Sequence, residues 1–156
     1  MLVLVRQPLA SAAADASLAE VDVRADRLVL AKRLWRGTAA DGTEFGFELE
    51  SPLRPGDLVH RTDRARYIVR QNPEPVLVVS LALAPSAAAG IGWAVGNLHL
   101  ELSAEPDRLL APDEPAVRRL FERIQIPYTT AVAVFRPGRF ARGPAAPQEL
   151  GPSHRH

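Results

Sequence analysis

The sequence predicts an α+β protein in which an all-β domain is followed by a domain with the element order βαββαβ. Three observations carry that prediction. Up to about Asn72 the chain consists of short alternating apolar runs separated by turn signals, which is strand patterning. Asn72-Pro73-Glu74-Pro75 then interrupts the pattern, and beyond it two segments of helical periodicity are set among strand-like runs. The expected domains are 1–74 and 75–142, with 143–156 as a tail.

The β elements of the first part follow in order. Val21-Asp22-Val23-Arg24 alternates, Leu28-Val29-Leu30 reads as a short buried run, and Thr43 to Leu49 alternates with Phe45, Phe47 and Leu49 on one face. Asp41-Gly42 between them is a tight hairpin signal. Pro55-Gly56-Asp57 turns the chain into Leu58-Val59-His60, and Arg66 to Arg70 is the last strand. Ala12 to Ala16 reads as either a loop or a short helix. His60, beside Arg61, reads as a surface histidine.

In the second part Val76 to Leu83 is a strand, and Ser86 to Val95 is a helix with Ser86 as its cap. Gly96-Asn97 supplies a stop signal, since both residues tolerate the left-handed conformation that closes a helix. His99 to Ser103 and Arg108-Leu109-Leu110 follow as strands. Pro112-Asp113 opens a second helix in which Val117, Leu120, Phe121 and Ile124 form a buried stripe. Thr129 to Phe135 closes the set. This order is the ferredoxin-like arrangement, with two helices on one face of an antiparallel sheet.

Composition excludes several kinds of function. At 156 residues and 47% hydrophobic the chain can bury a core, and it has no cysteine, so disulfides, thiolate metal sites and cysteine nucleophiles are ruled out. Any metal must be held by nitrogen or oxygen. No apolar run reaches the roughly 18 residues of a membrane span, and Met1 to Val5 lacks the layout of a signal peptide, so no membrane contact and a cytoplasmic location are expected. Nineteen basic against eighteen acidic residues, and no aromatic residue in His99 to Ser103 or Thr129 to Val134, argue against nucleic-acid binding. There is no phosphate-cradling loop, HExxH pair or serine elbow, so no enzyme is expected.

The stretch Gly90 to Leu102, GIGWAVGNLHLEL, is where chemistry is most legible. In the strand reading, Leu98, Leu100 and Leu102 point one way while His99, Glu101 and Ser103 point the other. His99 is then either a solvated surface histidine or a ligand, and one imidazole alone cannot build a metal site. The run GWAVGNLH, with the acidic segment after it and the ADGTEFGFEL and RPGDLV segments upstream, resembles the UreE family of urease accessory proteins, which are nickel metallochaperones. The family's helix ends in Gly-Asn-Arg-His or a near variant; here Gly96, Asn97 and His99 match and Leu98 replaces the arginine.

That resemblance implies an amino-terminal module similar to a peptide-binding domain of DnaJ-type chaperones. It also implies a homodimer with His99 binding nickel at the shared interface, and the urease accessory GTPase and urease apoprotein complex as partners. Members often carry histidine-bearing tails; here the chain ends in His154-Arg155-His156, so His154 and His156 are either further metal ligands or a chance terminus. Imidazole suits Ni(II), and Cu(II) or Zn(II) would compete in vitro. Trp93, Leu98 and His99 are expected near the dimer interface, unless Trp93 is helix core. The alternative is a regulatory or protein-interaction module with the same fold that binds a small ligand and no metal.

Overall fold

The computed structural model describes residues 1–11, 16–141 and 147–149, and these form two compact units, Met1–Asn72 and Pro73–His156. The first unit contains β1 (Leu2–Val5), β2 (Ala19–Ala25), a single helical turn α1 (Arg27–Leu30), β3 (Leu34–Thr38), β4 (Glu44–Glu48), β5 (Leu58–Arg61) and β6 (Ala65–Gln71). Two three-stranded sheets result, ordered β1-β4-β3 and β2-β6-β5. In each the middle strand pairs in parallel with one neighbour and antiparallel with the other.

One apolar core joins the inner faces of these sheets, through Val5, Trp35, Phe45 and Phe47 from one and Val23, Tyr67 and Val69 from the other. Phe45, Phe47 and Leu49 are buried as their alternation predicts. Trp35 stacks on Phe47 at 3.9 Å between ring centroids. The Asp41-Gly42 turn forms with Gly42 at φ 89°, a conformation that glycine adopts without a side-chain clash. The Asp41 carboxylate accepts from the Thr43 N–H (2.9 Å) and the Tyr67 hydroxyl (2.8 Å), which hold it below the usual carboxylate range.

Three readings of this unit need correction. Leu28-Val29-Leu30 is not a strand, because the N–H groups of Val29 and Leu30 both donate to the Asp26 carbonyl and close the turn α1. Three apolar residues are too few for their spacing to separate strand from helix. β1 and β3 are additional strands: β1 is the apolar opening of the chain, and β3 reads LWRGT, with too little alternation to register.

The second unit contains β7 (Glu74–Ser80), α2 (Pro85–Asn97), β8 (Ser103–Ala104), β9 (Arg108–Pro112), α3 (Pro115–Arg123), β10 (Thr129–Ala133), β11 (Arg139–Ala141) and β12 (Pro147–Glu149). Four strands make an antiparallel sheet in the order β10-β7-β9-β8, and β11 pairs with β12 separately. One face of the large sheet presents Leu77, Val79, Leu109 and Ala111 to α2 and α3, which contribute Ile91, Val95, Val117, Leu120 and Phe121. The stripe expected on α3 is therefore the one buried, with Ile124 half-buried at its end. On the opposite face Phe135, fully buried, closes over Val76 and Leu110.

Pro75 was expected to stop the ladder, yet it lies within β7 opposite Val132. Its missing N–H costs little there, because what it supplies is its carbonyl, which accepts from the Asp113 N–H. α3 begins at Pro115, three residues later than expected, since Pro112 is still paired to Val76 as the last residue of β9. The Asp113 carboxylate takes two bonds from the Arg118 guanidinium, at 2.6 and 2.8 Å, which holds it below the usual carboxylate range. Ser86 caps nothing: α2 starts at Pro85 with Ala84 as its flanking residue.

Candidate metal centre

α2 reads PSAAAGIGWAVGN and carries no charged residue. Ile91 and Val95 anchor its inner side, leaving Ala89, Gly90, Trp93, Gly96 and Asn97 on the outer one. Trp93 is 71% exposed, so it is not helix core, and Leu98 beyond the helix is 44% exposed. An added Cβ at Gly90 or Gly96 would meet nothing within 4 Å, so the flat side of the helix is open. Surface helices of soluble domains ordinarily carry a polar face.

The helix ends in a turn that fixes His99. The His99 N–H donates to the Gly96 carbonyl (3.0 Å) and the Leu100 N–H to the Val95 carbonyl (3.1 Å), the paired bonds of a Schellman motif. His99 occupies the left-handed position of that motif at φ 55°. This conformation costs an L residue about 1–2 kcal/mol and usually falls to glycine. α3 ends the same way, with Gln125 at φ 56° and the Ile126 N–H bonded to the Phe121 carbonyl at 2.9 Å. The strain at His99 is thus a property of how this unit closes its helices.

Two expectations change accordingly. Gly96 and Asn97 do not stop the helix but belong to it, because the left-handed residue is His99. His99 to Ser103 is not a strand either; β8 is only Ser103–Ala104, and Ser103 is buried where alternation would place it outward with His99. The separation from the leucines survives for two of the three, by another route, while Leu98 is exposed like His99. Leu100 and Leu102 pack against the core of the second unit while His99 is exposed.

Among the described residues no cluster of three or more histidine, aspartate or glutamate side chains could hold a metal ion. His99 therefore stands as a single exposed imidazole. His154 and His156 lie outside the described residues. His60, in the first unit, is half-buried with its ring 5.9 Å from Phe45 and 5.4 Å from Tyr67, at the edge of a cleft of about 500 Å³ shared with Asp41, Thr43 and Glu44.

What the sequence did not reveal is where the tail begins. After β10 the chain crosses the sheet through Phe135, and the Gly138 N–H then donates to the Leu102 carbonyl (2.8 Å), three residues beyond His99. β11 runs beside β8, and β12 turns back so that Glu149 pairs with Arg139. The root of the terminal segment is thus set close to the His99 turn. No local sequence signal announces a contact between residues so far apart.

Comparison with known proteins accounts for the greater part of the chain. Residues 74–156 match the family model described as the UreE urease accessory protein, C-terminal domain. The urease accessory protein UreE of Rhodobacter capsulatus is 33% identical over 134 residues, covering 83% of this chain and 81% of that protein. The UreE of Paracoccus denitrificans is 31% identical, over 75% of this chain and 71% of its own length. That of Lysinibacillus sphaericus is 27% identical, over 69% and 73% respectively. With a family model spanning more than half of its residues and a relative this similar along most of both lengths, the chain belongs to the UreE family of urease accessory proteins.

Proposed function

We propose that this chain is a nickel metallochaperone that binds Ni(II) as cargo and delivers it for assembly of the urease active site, with no chemical step of its own. The observation that carries this reading is His99, an exposed imidazole on the hydrogen-bonded turn at the end of a helix that has no charged side chain. A lone imidazole is a poor site, and a two-fold axis beside it doubles the ligands. The outer side of α2, with Trp93, Gly90 and Gly96, is where a second copy can approach closely without facing charge. The homodimer we propose pairs the carboxy-terminal domains there, so that both His99 rings meet one ion.

Further ligands come from the terminal segment. Glu149 is paired to Arg139, and His154 follows it by five residues in the sequence. His154 and His156 complete the set with water, and a site made partly of a tail releases its ion readily. The domains proposed are 1–74 and 75–142, the second of ferredoxin-like type, a reading supported by the strand order β10-β7-β9-β8 with both helices on one face. Delivery takes place in the cytoplasm to the urease accessory GTPase and the urease apoprotein complex.

Nickel titration of the full chain, with its mass followed by light scattering, tests this reading. About one ion per two chains in a particle of twice the chain mass is the expected result. A protein that stays monomeric with and without nickel, or that binds none, overturns it. Removal of residues 151–156 is expected to leave the melting profile unchanged and to lower nickel affinity or stoichiometry. Identical isotherms would make the terminal histidines bystanders.

A further inference from the structure

β10 is the outer strand at one edge of the large sheet. It pairs with β7 on one side and, among the described residues, with no strand on the other. Its sequence is Thr-Thr-Ala-Val-Ala, followed by Val134 and Phe135. Val132 is 69% exposed, and Thr129, Thr130 and Val134 are exposed as well. Natural sheets protect such an edge with lysine, proline, a bulge or a covering element. Here residues 129–135 contain no charge and no proline, and the register to β7 is unbroken. The nearest prolines, Pro127 and Pro137, lie outside the strand.

The geometry points to this edge as a self-association surface that takes β10 of a second copy, antiparallel about a two-fold axis at Ala131. The edge groups that no described strand pairs require an extended strand as occupant. The side chains favour a copy of the same strand. In that pairing Thr129 faces Ala133 and Thr130 faces Val132 across the axis, so every pair is small or β-branched and no like charges meet. A foreign segment is selected by side-chain pockets flanking an edge, and five small residues offer none.

The position of the edge decides what such pairing does. β10 and β8 are opposite edges of the sheet, and the His99 turn leads into β8. Joining two copies through β10 gives one eight-stranded sheet whose β8 strands, seven spacings apart, are separated by roughly 33 Å. Two His99 rings so placed cannot share an ion. Pairing through β10 is therefore separate from contact through α2, leaves that contact free, and links copies or pairs of copies into larger particles. A five-residue strand makes a short ladder, so the association is weak and concentration-dependent.

Hydrogen exchange of the full chain at low micromolar and near-millimolar concentration tests this, alongside particle mass. The expected result is that amides of residues 129–133 exchange about tenfold more slowly at the higher concentration while the mass doubles. Val132→Lys should abolish both effects with nickel stoichiometry unchanged, and Val132→Thr should retain them. Exchange at 129–133 that is independent of concentration overturns the proposal. So does protection that persists on dilution and disappears when residues 142–156 are deleted, which would place the chain's own tail on the edge. Because exchange is read strand by strand, neither outcome depends on whether copies also meet through α2.

Discussion

His99→Ala is expected to abolish the tighter class of nickel binding while leaving the melting profile within about 0.5 kcal/mol of the native protein. The imidazole is exposed, among the described residues no hydrogen bond to it is seen, and alanine, like histidine, is an L residue strained at this left-handed position. His99→Gly sharpens the test. Glycine relieves the strain at φ 55°, so this variant should lose nickel binding equally and yet be more stable, by about 0.5–1 kcal/mol. The checks are calorimetric titration and thermal melting of all three proteins. A His99→Ala protein that binds nickel normally removes the site from this residue.

Phe121→Ala should produce the largest loss of stability in the second unit, about 3–5 kcal/mol by urea denaturation. Phe121 is fully buried, packs within the core shared by the sheet and both helices, and lies 5.8 Å from the ring of Tyr128. Its carbonyl also accepts the Ile126 N–H that closes α3, so the cavity opens beside the turn holding Gln125. A domain is stable by only about 5–15 kcal/mol, so a loss of this size takes much of the margin. A loss below about 1 kcal/mol would mean that the helices close over the vacated space.

The elements that could be read from the sequence are those whose signal is local. Val117, Leu120 and Phe121 show helical spacing within one segment, and Phe45 and Phe47 alternate across a hairpin whose Asp41-Gly42 turn names its own geometry. The strand, helix, two strands, helix and strand of the second unit follow in the order that these signals give. Helix ends were misplaced by one to three residues wherever a neighbour decided them. Pro112 stays in β9 because Val76 is there to pair with it, and α2 runs on through Asn97 because the bonds from His99 and Leu100 close the helix one turn back. His99 was legible as a residue to single out, through Gly96-Asn97 and the family likeness. Its left-handed backbone was not, because that position usually carries glycine.

The return of β12 along β11 changes the kinetics available to any donor carried beyond it. With Glu149 paired to Arg139, and Gly138 bonded to Leu102, whatever follows Glu149 is attached at a fixed point. A donor tethered by a few residues experiences an effective concentration in the millimolar range, set by tether length and not by how much protein is present. On the function proposed above, an ion captured first at His99 would then meet its next ligand in a unimolecular step. An acceptor that displaces one tethered donor at a time can draw the ion away through a series of small barriers, without ever opening the folded body.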